Sequence, residues 1–142
     1  MAASSLMALP PLLGVVGLGF AYLLYTMVMK YPEGEASIKK IADQIHLGAM
    51  VFMKREYSIL AVFVAVLVAL AWMFLGVNTA IAVIAGALSS SVAGWLGMYS
   101  ATKANVRTAT AAKTEGAASA LTVAFFGGSI MGLCVASLGL VG

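Results

Sequence analysis

The best opportunity for chemistry in this chain lies between Thr102 and Glu115, where Lys103, Asn105 and Arg107 fall close together and are followed by Thr108 and Thr110. On a helix, Lys103 and Arg107 are one turn apart. At that spacing two cations can share a phosphate, a lipid headgroup or an acidic partner domain. The plainer role for the same side chains is to anchor the ends of two helices at a membrane surface, and the rest of the sequence favours it. Glu35, Asp43, Glu56 and Glu115 are scattered, His46 is the only histidine and Cys134 the only cysteine. A histidine or thiolate metal site and an intrachain disulfide are therefore excluded, and no catalytic constellation is apparent. Gly14, Gly17 and Gly19 follow no strand and precede no lysine, so they do not form a phosphate-binding loop.

The elements that carry these residues are set by where charge is absent. The chain has 142 residues, 63% hydrophobic and 9% charged, with mean hydropathy +1.05. Soluble domains carry about 25% charged residues, so this composition belongs to the membrane class. No charge occurs before Lys30, between Tyr57 and Thr102, or after Glu115. An ionised group at the centre of a spanning helix costs about 2.5–3.5 kcal/mol, which explains the segregation. The net charge of +3 lies beside apolar spans and signals topology rather than nucleic-acid binding.

At roughly 20 residues per crossing, the charge-free blocks divide into four expected spans, about 10–29, 57–75, 80–101 and 117–140. The apolar run from Leu6 to Met29 is too long for a signal-peptide core and is read as a retained helix. Gly76, Val77, Asn78 and Thr79 supply the tight turn of a hairpin. Lys30, Lys39, Lys40, Lys54 and Arg55 lie in segment 30–56, and Lys103, Arg107 and Lys113 in segment 102–116. The positive-inside rule makes both segments cytoplasmic and puts both ends of the chain on the other side. Ile38, Ile41, Ala42, Ile45, Ala49 and Phe52 recur at helical spacing, predicting a helix that starts near a capping Ser37 and runs into the second span, with a separate helix lying on the membrane surface as the alternative.

Rows of small residues predict close helix packing: Gly86, Ser90 and Gly94, then Gly97, Ala101, Asn105 and Ala109, and in the fourth span Gly128 and Gly132. Gly94, Gly97, Gly128 and Gly132 are the positions expected to pack most closely. None of the four spans holds an ionisable group near its middle, as a pump or transporter requires. The segment by itself is therefore expected to be inactive. A small transporter is disfavoured for the same reason, while a stand-alone non-catalytic membrane scaffold is the alternative.

Two stretches resemble membrane-bound pyrophosphatases, which couple pyrophosphate hydrolysis to proton or sodium transport. They are IADQIHLGAMVFMKREY, from Ile41 to Tyr57, and GMYSATKANVRTATAAKTEGAASALTVAFFGGSIMGL, from Gly97 to Leu133. Leu47 departs from the pattern, which commonly has an acid before the Gly-Ala pair. The resemblance implies an all-α, polytopic fold in which these four spans are the first helices of an outer ring. It implies the N-terminal part of a homodimeric pump in a plasma (inner) or internal membrane, surrounded by lipid and by the pump's remaining helices. Its substrate would be pyrophosphate and its cofactors Mg2+ and, in some members, K+. The family's aspartate clusters do not occur in this chain, so no catalytic, cofactor-binding or metal-binding residue carries over, and the determinants of proton or sodium choice lie outside it.

Overall fold

Inside a bilayer a chain must satisfy its own backbone polar groups, and the four apolar stretches do so as α-helices. The computed structural model describes residues 2–141, with side chains from residue 8 onward. Leu6, where the apolar run begins, lies outside the described side chains. The helices are α1 (Ala2–Met29), α2 (Ala36–Leu75), α3 (Val77–Thr114) and α4 (Ala117–Val141). All four are long and apolar enough to cross a membrane. At 1.5 Å per residue, the 40-residue α2 and the 38-residue α3 run close to 60 Å, about twice the hydrocarbon thickness.

The expected continuous helix through the second span is present, but its start differs in detail. Glu35, with extended backbone, occupies the N-cap without a side-chain capping bond. Ser37 therefore lies inside the first turn and is not the cap. Segment 102–116, which follows the expected third span, is mostly the last turns of α3, and only Glu115 and Gly116 separate α3 from α4. The N–H groups of Glu115 and Gly116 both donate to the Ala111 carbonyl, at 2.8 and 3.0 Å. Gly116 can close that turn because its φ is +94°, a conformation costly for any residue with a Cβ. The other hairpin is tighter than the sequence suggested. Gly76 alone, at φ +92°, joins α2 to α3, and Val77, Asn78 and Thr79 are already helical.

The helices form an open array rather than a closed bundle. α1 packs on α4, α4 on α3 and α3 on α2, with a slight touch of α1 on α3; among the described residues α2 meets neither α1 nor α4. The densest packing is among α1, α3 and α4, where Ala21, Val28, Ala104, Ala111, Val123, Ile130 and Cys134 form the core. Small residues permit it. A Cβ on Gly14 would meet the Ser137 carbonyl at 2.6 Å, one on Gly97 the Met131 side chain at 2.7 Å, and one on Gly127 the Ala104 methyl at 2.5 Å. Gly94 admits the Tyr57 hydroxyl of α2, which would lie 2.7 Å from an added Cβ.

The packing row on α4 is thus displaced by one residue from expectation. Gly128 and Gly132 face open space, as Gly86 does on α3, while Gly127 makes the contact. Small residues occur on both sides of α4, so composition alone did not identify the side that meets α3. Because a methyl group of α3 already fills the space beside Gly127, Gly127→Leu is expected to destabilise the fold by about 1–3 kcal/mol through overpacking. Thermal unfolding of the protein in detergent tests this; an unchanged midpoint would show that the contact is not tight.

Candidate functional site

At the charged end of the array, the short connection between α1 and α2 lies across α3. Pro32 and Gly34 keep it from continuing as helix, and Gly34 is at φ +85°. A Cβ on Gly34 would overlap the Thr110 hydroxyl, so this glycine is needed for both its dihedral and its lack of a side chain. The Thr110 hydroxyl donates to the Glu33 carbonyl at 3.0 Å. Beside it, Arg107 is buried to 4% exposure. Its Nη1 donates to the Lys103 carbonyl at 2.8 Å and its Nη2 to Glu33 Oε1 at 3.1 Å.

Glu33 is the centre of this cluster. Its second oxygen receives Lys39 Nζ at 3.2 Å. The Lys39 hydrogen bond, helped by the charge of Arg107, holds the Glu33 carboxyl below the ordinary 4.5 of a glutamate. Next to it, Lys113 Nζ reaches Glu35 Oε1 at 2.8 Å, and this contact lowers the pKa of Glu35 as well. The Lys113–Glu35 pair is solvent-exposed and adds little to stability. Arg107–Glu33 matters more, because an unpaired guanidinium at that depth would be strongly unfavourable.

A second polar contact ties α2 to α3 further along. His46 Nδ1 lies 2.6 Å from Thr102 Oγ1, and that hydroxyl is 2.9 Å from the Tyr99 carbonyl. Thr102 has one proton to give; if it goes to Tyr99, the threonine oxygen accepts from His46 Nδ1–H. The imidazole meets the Tyr99 ring edge-on at 5.1 Å, and Tyr99 stacks on Trp95 at 5.4 Å. Near the apolar part of α2, the Tyr57 hydroxyl donates to the Ser91 carbonyl at 2.7 Å.

The three residues singled out from the sequence do not converge. Arg107 faces inward to Glu33, Lys103 is half-buried and lends its carbonyl to Arg107, and Asn105 is exposed on another side of α3. A shared anion between Lys103 and Arg107, the less favoured of the two roles weighed from the sequence, is not what the structure places there: the anion beside Arg107 is the carboxylate of Glu33. Sequence reading missed Glu33, which is separated from Arg107 by 74 positions. The one available signal was that both charged segments fall at the same end of a four-span chain. Among the described residues, no three His, Cys, Asp or Glu side chains group as metal ligands.

The family model described as inorganic H+ pyrophosphatase matches residues 15–142. The chain belongs to this family. It is 42% identical over 93% of its length to a K+-insensitive pyrophosphate-energized proton pump of Methanosarcina mazei, of which it covers 20%. It is 41% identical over 91% of its length to a K+-insensitive proton pump of Moorella thermoacetica, covering 19% of that protein. A K+-stimulated pyrophosphate-energized sodium pump of Thermotoga maritima is 39% identical over 92% of this chain, which covers 18% of it. The chain thus spans about a fifth of the length of the curated relatives it matches. Its four apolar helices, together with this family membership, make it an integral membrane protein.

For this chain the Glu33 cluster gives a signed expectation. A carboxyl whose pKa is lowered by folding contributes stability above the unfolded value, and that contribution is lost as the pH falls through the lowered value. Thermal stability should therefore drop on acidification below about pH 4.5, and Glu33→Gln should flatten that dependence. At neutral pH, Glu33→Ala should cost about 2–3 kcal/mol by leaving Arg107 buried without its counter-ion. That is less than for a fully enclosed pair, because Glu33 keeps 27% of its side chain exposed. Equal unfolding midpoints for wild type and Glu33→Ala would count against the clamp.

Proposed function

We propose that this segment is the N-terminal portion of a pyrophosphate-energised pump, which hydrolyses Mg-bound pyrophosphate and couples it to proton or sodium movement across the membrane. The observation that carries this reading is the asymmetry of the matches. They run through 93% of this chain but only 20% of a proton pump, and through 92% of it but 18% of a sodium pump. A shared fifth in two pumps of different ion suits a common structural part, with ion choice made elsewhere.

In this reading the segment is a support and not a catalyst. Its four helices stand in the outer ring, with lipid on one side and the pump's remaining helices on the other, in a homodimer. The positive-inside bias puts the connection at Pro32 and the turn at Gly116 in the cytoplasm, and both ends of the segment on the opposite side. The acidic residues described here do not fit magnesium. Glu33 and Glu35 are each committed to lysine or arginine, and no third ligand joins them among the described residues. Magnesium, and potassium where it is used, would be bound by later helices. The Arg107–Glu33 clamp would keep the cytoplasmic surface in shape near the point where substrate enters.

The test begins with the intact mass of the native polypeptide, captured from its own membrane with an antibody to the Pro32–Asp43 region. A mass several times 14.6 kDa, accompanied by magnesium-dependent pyrophosphate hydrolysis in those membranes, is expected. A product near 14.6 kDa without hydrolysis would overturn the reading in favour of a stand-alone scaffold.

A further inference from the structure

The exposed apolar surface of this array is too tall for one bilayer. Contacts between neighbours fix the relative heights: Tyr57 of α2 lies beside Ser91 and Gly94 of α3, and Gly97 of α3 beside Met131 of α4. At 1.5 Å per residue, those contacts place Leu121 on α4 about 50 Å from Phe74 near the α2–α3 turn. Both are strongly exposed, at 72% and 77%. The hydrocarbon is about 30 Å thick, and even a 40° tilt would leave the apolar surface standing about 10 Å beyond it. One end of that surface must lie outside the lipid.

The charges identify which end. All of them fall between Lys30 and Glu56 or between Lys103 and Glu115, so they flank the end opposite the Gly76 turn, and hydrocarbon must cover the uncharged end. At the charged end, α2 and α3 enclose a shallow groove of about 180 Å³ lined by Ile38, Ile41, Ile45, Asn105, Val106 and Ala109. Ile41 and Ile45 are 59% and 55% exposed. A row of isoleucines in water, next to an exposed asparagine, is a surface that another protein element covers.

We propose that this groove is a docking site for an α-helix from the later part of the same pump, presenting aliphatic side chains to the isoleucines, a hydrogen-bonding group to Asn105, and acidic residues at its margins. The proposal rests on the reading that the segment belongs to a longer pump; the relatives, about five times its length, hold the chain needed to supply such a helix. Charge complementarity sets the acidic margins, since eight of the thirteen charges at this end are basic. The same excess opposes a second copy of the segment, which would bring lysines against lysines.

The experiment uses the full-length pump in nanodiscs, with Ile45→Cys compared with Lys40→Cys on the opposite side of the same helix, and hydrolysis checked for both. A water-soluble maleimide should label Ile45→Cys at least about tenfold more slowly than Lys40→Cys, as expected of a site that must open locally to react. A photo-crosslinking residue at position 45 should join to a peptide beyond residue 142 of the same chain. Equal labelling of the two cysteines, a crosslink between two copies, or a crosslink to lipid would overturn the proposal while leaving the pump reading intact. Absence of any product longer than 142 residues would overturn both.

Discussion

A buried guanidinium must be answered by a carboxylate or remain a large penalty, and in this segment the answer comes from outside the helix that carries it. Arg107 takes its partner from the α1–α2 connection, 74 residues earlier. Glu33 can reach it only if the connection crosses α3 at Thr110, and that crossing requires Gly34 to adopt a positive φ with no Cβ. The ends of three helices are thereby fixed to one another at the charged end. Below this clamp, helix packing needs only to be compatible with the register it imposes.

Two kinds of adhesion hold the array. α1, α3 and α4 meet through close approach at Gly14, Gly97 and Gly127, which suits a medium in which lipid is as apolar as leucine and dispersion packing has to bring helices together. α2 is different. It buries only Met53 and Ala71 and is held to α3 by placed polar contacts, His46 to Thr102 and Tyr57 to Ser91. These hydrogen bonds set its rotation and register without enclosing it.

Much of the fold was legible because bilayer burial writes itself into sequence. Charge-free stretches located four helices, the isoleucine spacing before Tyr57 foretold one helix continuing through α2, and Gly76 marked the hairpin between α2 and α3. The errors have a common physical origin. The start of α2 was placed within one residue, with Glu35 in place of Ser37 at the cap, whereas α3 runs past Thr102 because turns of a long helix beyond the membrane are as polar as loops. Gly128 was chosen over Gly127 because periodicity identifies a row but not the neighbour it meets. At the candidate site, proximity in sequence allowed Lys103 and Arg107 to share an anion but could not show where either side chain turns. In the structure Arg107 turns inward to Glu33, and no pattern along one helix encodes an ion pair between two connections.

The length of α2 and α3 then constrains what surrounds them. A pair of helices close to 60 Å long cannot be clothed by lipid alone, and the segment's own α1 and α4 cover only one side of α3 and none of α2. The isoleucine row and the polar clamp occupy the same extended region, so the segment presents an apolar side there beside the ion pairs of Glu33 and Glu35. A helix held by a few directional bonds to one neighbour, with an exposed apolar row besides, has its final position set jointly by those bonds and by whatever packs against it. That makes α2 the element through which the packing of a larger assembly would be transmitted to the Glu33 cluster, since Lys39 on α2 and Arg107 on α3 share the same carboxylate.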